Sequence, residues 1–340
     1  MKFGAVPTET AEGAILAHSV SLGSAGRLRK GRVLGRADVA ALAAAGTEEV
    51  IVARLEEGDV IEDEAARQLA KALVPDPARQ QLRVTEPFTG RVNLLAEGPG
   101  VAMLDVSALD AVNRVHPMIT LATVPAHQQM SDGGMVATIK IISYAVPADA
   151  LQEACAVARE AIRLAPPIID TVRLIITEIP GGAGSKGQAA IANRVSAFGL
   201  EMAPAVIVPH EEAALARALS EPNVGLTLIL TGSATSDIDD VAPAALRRAG
   251  GLVTRFGMPV DPGNLLFLGD LGAQPVIGLP GCARSPALNG ADWVLARVMC
   301  GIDVSDGDIA AMGVGGLLKE IPTRPQPRAG KTTRRGASSA

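Results

Sequence analysis

From Thr171 onward, apolar runs of strand length alternate with stretches of helical spacing. TVRLIIT (Thr171–Thr177) has the pattern of a strand buried on both faces, and a helix is predicted over Gln188–Phe198. Glu201–Val208 reads as a second strand, with a helix from about Glu211 to Leu219. GLTLIL (Gly225–Leu230) is a third strand, and the helix Val241–Ala249 stops at Gly250-Gly251. Leu265–Leu268 and Pro275–Ile277 are short strands, and Asn289–Met299 is helical. Strand alternating with helix predicts a parallel sheet with crossover helices, an α/β fold in three layers.

The preceding half has a different rhythm. Arg36–Ala45 predicts a helix ended by Gly46, Glu48–Ala53 a strand, and Glu62–Leu73 a helix with Ala65, Leu69, Ala70 and Leu73 on one side. Pro75 and Pro77 mark a boundary. Val92–Ala96, Val101–Val106, Ile119–Val124 and Met135–Ile142 are candidate strands, and Asp149–Leu164 reads as an Ala-rich helix. The expected organisation is a mixed segment over 1–75, a β-rich segment over 76–148, the α/β domain over 149–320, and a disordered basic tail over 321–340. Arg324, Arg328, Lys331, Arg334 and Arg335 are the charged side chains of that tail.

Composition narrows the function classes. Hydrophobic residues make up 48% of the 340-residue chain, enough for packed cores. The net charge of −5 argues against a nucleic-acid binder that relies on global charge. Five Phe, one Trp and one Tyr leave little for aromatic cages or stacking platforms, whereas 36 Gly and 23 Pro favour a ligand held by backbone amides and turns. Cys155, Cys282 and Cys300 are too scattered for a disulfide framework or a zinc site, and so are His18, His116, His127 and His210. With neither a signal-peptide pattern nor an apolar run of membrane length, the expectation is a cytoplasmic protein that contacts neither membrane nor nucleic acid.

Three loops at expected strand ends carry the candidate chemistry. In TGSATSDIDDVAP (Thr231–Pro243), Thr231, Gly232, Ser233, Thr235 and Ser236 offer hydroxyls and amides to a phosphate near a helix start. Asp237, Asp239 and Asp240 are candidate Mg²⁺ ligands, since that ion suits carboxylates and phosphates. An Asp before Val241, with Pro243 in the first turn, is equally good helix capping. In GLPGCARSP, Gly278, Pro280 and Gly281 form a rigid turn whose amides, with Arg284 and Ser285, could cradle an anion. Cys282 has no histidine close in sequence and reads as a small packed side chain. Gly181–Gly187 (GGAGSKG) is either a phosphate loop or a flexible connection; Lys186 precedes Gly187, so GxxxxGK[ST] is not satisfied. Pro262-Gly263 adds a further tight turn.

These loops, in this order, resemble the molybdopterin-binding domain shared by the MoeA and MogA families. Thr231-Gly232-Ser233 followed by Asp240-Val241-Ala242-Pro243-Ala244 is similar in register to TGGTG and DVTPEA of MogA-like proteins. Pro262-Gly263-Asn264-Leu265 and Gly278–Ser285 resemble the PGKP and GLPGNPVS turns of MoeA-like proteins. Lys30–Val52 resembles the MoeA stretch before its pterin-binding domain. The middle segment is similar to a MoeA-related bacterial group, sometimes fused to a MobA-like nucleotidyltransferase, whose LAAGxSxRMG loop is not found here.

Ser233, Thr235 and Asp239 depart from the MogA-like pattern, as Asn264 and Cys282 do from the MoeA-like one. The resemblance implies that molybdopterin, or its adenylated form, binds with its terminal phosphate on the Thr231–Ser236 and Gly278–Ser285 loops. It also implies a role in molybdenum cofactor maturation, either as a Mg²⁺-dependent molybdate insertase in which Asp240 is catalytic, or as a non-catalytic carrier for a nucleotidyltransferase or molybdoenzyme partner. An interaction protein with a degenerate pterin site is the third possibility. Homo-oligomers are expected from the same resemblance.

Overall fold

The computed structural model describes residues 1–222 and 225–318, so the expected basic tail lies outside the described residues. The chain is a mixed α/β protein that divides into two compact units. The first comprises Met1–Asp170 with Arg194–Glu201 and Leu295–Asp303; the second comprises Thr171–Asn193, Met202–Val294 and the chain from Val304.

In the first unit, Lys2–Pro7 and Ile15–Leu16 flank Glu49–Arg54 in an antiparallel sheet. Every second residue of the central strand faces inward, so Val50 and Val52 pack with Leu16, Leu34 and Leu42. A larger core gathers the helix Glu62–Leu73, whose buried face holds the predicted Ala65, Leu69, Ala70 and Leu73. That helix packs on an antiparallel sheet of Leu82–Val84, Arg91–Ala96, Met135–Ile141 and Ile119–Thr123.

Three elements differ from the sequence pattern. The strand expected over Val101–Val106 ends at Leu104, and Asp105 starts a helix, Val106–Val115, by accepting from the Ala108 amide at 3.0 Å and the Ser107 hydroxyl at 2.8 Å. The helix expected to run to Leu164 stops at Val157. Glu160 then takes a left-handed φ of 56°, and Ile162–Ala165 pairs with Gly100–Leu104, a long-range pairing that an Ala-rich run does not advertise. The strand expected from Glu201 begins at Val206, beyond Pro204, which has no N–H for a ladder.

The second unit is built on one six-stranded sheet. Its elements are β1 (Val172–Glu178), α1 (Gln188–Ser196), β2 (Val206–Pro209), α2 (Glu212–Ser220), β3 (Leu226–Leu230), α3 (Val241–Arg248), β4 (Leu252–Phe256), β5 (Phe267–Leu271), β6 (Gln274–Leu279) and α4 (Gly290–Met299), with α1 from Arg194 and α4 from Leu295 belonging to the first unit. Strand order is β2-β1-β3-β6-β5-β4. β2, β1, β3 and β6 are mutually parallel. β5 runs antiparallel to β6 and to β4, so β4 shares the direction of the parallel set. One face, with Ile175, Ile229 and Val276, packs on Leu215, Leu219, Ala242 and Leu246 of α2 and α3. The alternating residues Leu174, Ile176, Leu228 and Leu230 are buried as well, so the central strands are covered on both faces. All five parallel strands deliver their following loops to one edge of the sheet.

Candidate functional site

In open α/β sheets, ligands bind outside the carboxyl ends of the strands. Here the loops after β1, β3 and β6 are the glycine loop, the Thr231–Asp240 loop and the Pro280–Asn289 loop. Arg284 ties the three together. Its Nη1 donates to the Gly184 carbonyl at 3.0 Å and to the Lys186 carbonyl, and its Nη2 donates to the Thr231 carbonyl at 3.0 Å. The guanidinium is part-buried, and that desolvation pushes its pKa below the usual arginine value. Three of the five N–H donors of Arg284, expected from the sequence as a phosphate ligand, are thus turned onto backbone carbonyls.

Gly187 makes this clamp possible. Its φ is +95°, and an added Cβ would lie 2.6 Å from Arg284 Cα, so only glycine lets the chain pass there. Gly232 serves a second close approach: a Cβ would stand 2.7 Å from the Thr177 carbonyl. The Gly232 amide donates to Thr177 Oγ1 at 2.9 Å, and the same hydroxyl lies 2.8 Å from His210 Nδ1. Thr177 is fully buried near the end of β1, and His210 follows β2. Because Oγ1 already accepts an N–H, using every proton requires Thr177 to donate to Nδ1 and the imidazole proton to sit on Nε2. This relay fixes the start of the Thr231 loop. Its single trace in the sequence is a hydroxyl residue closing an apolar strand.

The Thr231–Asp240 loop then crosses the rim. Among the described residues, the amides of Ser233, Ala234 and Thr235 donate to no hydrogen bond, and Ser233 and Ala234 are exposed. Thr235 is buried, with its hydroxyl 3.4 Å from that of Thr231, while the Ser236 hydroxyl donates to the Ala234 carbonyl at 3.3 Å. Lys186 is exposed and makes no ion pair among the described residues.

The three aspartates are occupied locally. Asp240 caps α3: Oδ1 accepts from Val241 N at 2.7 Å and Oδ2 from Ser236 N at 3.0 Å. Asp237 accepts from the Asp239 amide at 2.8 Å, and Asp239 pairs with Arg247 at 2.7 Å. Among the described residues, no group of three or more His, Cys, Asp or Glu side chains is placed to hold a metal ion. Asp240 thus serves as a helix cap and Asp239 as an ion-pair partner.

The remaining candidates are dispersed. Gly278 lies inside β6, where a Cβ would fall 1.9 Å from the Phe267 ring, so its glycine serves packing. Pro280 and Gly281 open the short turn Gly281–Arg284, which also holds half-buried Cys282. The hydroxyl of Ser285 accepts from Ala287 N at 3.2 Å. Pro262-Gly263 packs against the start of α4, with the Pro262 carbonyl accepting from Gly290 N at 2.8 Å. The Asp261-Pro262 bond is cis. Among the described residues, no helix is long and apolar enough to cross a membrane.

A family described as a domain of unknown function (DUF8806) matches residues 5–54. No curated protein matches the chain. Among solved structures, a molybdopterin biosynthesis MoeA protein from Pyrococcus horikosii aligns at 14% identity over 88% of this chain and 75% of that one, with a TM-score of 0.31. A molybdenum cofactor biosynthesis protein from Pyrococcus furiosus aligns at 12% identity over 89% of this chain and 66% of that one, with a TM-score of 0.24. These are remote likenesses, and the functional reading rests on the site itself.

Proposed function

We propose that the second unit binds molybdopterin, or its adenylated form, and holds it during molybdenum cofactor maturation. The observation that carries this reading is the run of amides at Ser233, Ala234 and Thr235 that donate to no hydrogen bond among the described residues, in the loop that follows a parallel strand. Successive amides in a turn form a concavity suited to a phosphate, and they bind it without aromatic stacking. Thr231-Gly232-Ser233 and Gly278–Ser285, with their resemblance to pterin-binding turns, support the choice of pterin phosphate over other phosphates. Lys186, exposed on the glycine loop, adds a second positive charge beside that of Arg284 for the phosphate.

Holding the ligand, rather than inserting molybdate into it, is the reading that the locally engaged acids support. Asp240 has one oxygen on each of two backbone amides, and Asp239 is paired to Arg247. Native mass spectrometry of the freshly purified protein tests the reading: a bound pterin mass is expected, reduced in Lys186→Ala. Incubation with adenylated molybdopterin, molybdate and Mg²⁺ should leave the ligand intact. Release of AMP would assign catalysis, and failure to bind any pterin would refute the proposal.

A further inference from the structure

A cluster of exposed basic side chains stands in the first unit, on and beside a short hairpin. Val20–Ser21 pairs with Arg27–Leu28 in a short antiparallel hairpin. Leu28 is buried in the N-terminal core, so by strand alternation Arg27 and Arg29 project from the opposite face. With Ser19 and Lys30 they line a concavity of about 740 Å³. The Lys30 amide donates to Ser19 Oγ at 3.0 Å, which fixes the hydroxyl and leaves its proton to donate outward.

The charge here is unbalanced. Arg32 and Arg36, next along the chain, are neutralised by Asp38 at 2.8 Å and Glu12 at 3.0 Å. Among the described residues, Arg27, Arg29 and Lys30 have no carboxylate within ion-pair distance. Glu62 feels the Lys30 charge, but Lys140 Nζ already sits 3.8 Å from it. Three exposed cations around one space, in a chain of net charge −5, create a local field opposite to that of the whole molecule.

We infer that this concavity binds a compact oligophosphate, either free or as the phosphate tail of a nucleotide. Two guanidiniums offer forked donors that match phosphate oxygens, and the lysine adds a point charge. No aromatic or apolar side chain is among the four lining residues, so a base or an acyl chain gains nothing there. Recognition is by charge and donor geometry alone. The inference is independent of the pterin reading, since all four residues lie in the other unit.

Calorimetric titration of the full chain with sodium tripolyphosphate at low salt tests it. Saturable binding is expected, weakening as salt rises. The double variant Arg27→Gln/Arg29→Gln should lose affinity by at least about tenfold, the weight of one lost charge-assisted hydrogen bond. Arg27→Lys/Arg29→Lys should keep more of it, and Ser19→Ala should lose about threefold. Both arginines are exposed, so circular dichroism and the melting point should not move. ATP should bind no more tightly than tripolyphosphate. Three results would overturn the inference: equal tripolyphosphate affinity in the glutamine double variant, binding of hexaglutamate as tight as that of tripolyphosphate, or a nucleoside gain above about tenfold.

Discussion

Arg284→Met separates a structural clamp from a ligand contact. Methionine keeps an apolar stem but removes every donor. The Thr231 carbonyl, in a buried residue, would lose its partner, which costs about 1–3 kcal/mol. Gly184 is half-buried and Lys186 exposed, so each of their carbonyls is assigned only the loss of a net hydrogen bond, about 0.5–1.5 kcal/mol. Relief of the desolvated guanidinium offsets part of this. The expected loss is therefore about 2–4 kcal/mol, concentrated in the loops after β1 and β3.

At about 1.4 kcal/mol per tenfold, amides of the glycine loop should exchange with deuterium at least about 30-fold faster if local opening limits them. If the second unit melts as a whole, its midpoint should drop by roughly 4–16 °C. Hydrogen-exchange mass spectrometry over residues 179–188 and a thermal scan give both readings. If exchange stays within about twofold and the midpoint within about 1 °C while pterin binding disappears, the clamp assignment is wrong. Arg284 would then be a direct phosphate ligand.

Three further outcomes follow from local chemistry. Asp240→Ala should destabilise the second unit by about 1 kcal/mol through loss of the α3 cap, and Mg²⁺ should not alter the midpoint of the parent protein, as checked by thermal denaturation. Asp38 is held below the usual carboxylate pKa by its hydrogen bond to Arg32 and then by the Gly35 amide. Its folded pKa is lowered, so its contribution is present above the unfolded value of about 3.9 and is lost as pH falls through the folded value; Asp38→Asn should flatten that acid limb of stability in an acid titration. Burial pushes the Cys300 thiol up to about 12, so it should resist alkylation at pH 8 in the native protein and react on unfolding, as mass spectrometry of the labelled peptide would show.

The alternation of strand and helix was legible from Thr171 because buried parallel strands must be apolar throughout and crossover helices amphipathic. The loop positions followed, since Gly and Pro punctuate them. The acids were legible only as a choice between capping and metal binding. Position along the chain cannot say where a carboxylate points, and the structure turns Asp240 onto two amides.

What the sequence determined by itself was local: period, breaks, and the residue types available to each loop. What tertiary structure decided was which of those residues meet. Arg284 reaches carbonyls 98 and 100 residues away in sequence, and Thr177 links residues from loops 33 and 55 residues distant. Ile162–Ala165 became a strand through its partner rather than its own pattern. Hydrogen bonds between distant segments leave no periodicity in the chain. Their geometry exists only once the sheet has brought its strand ends to one edge.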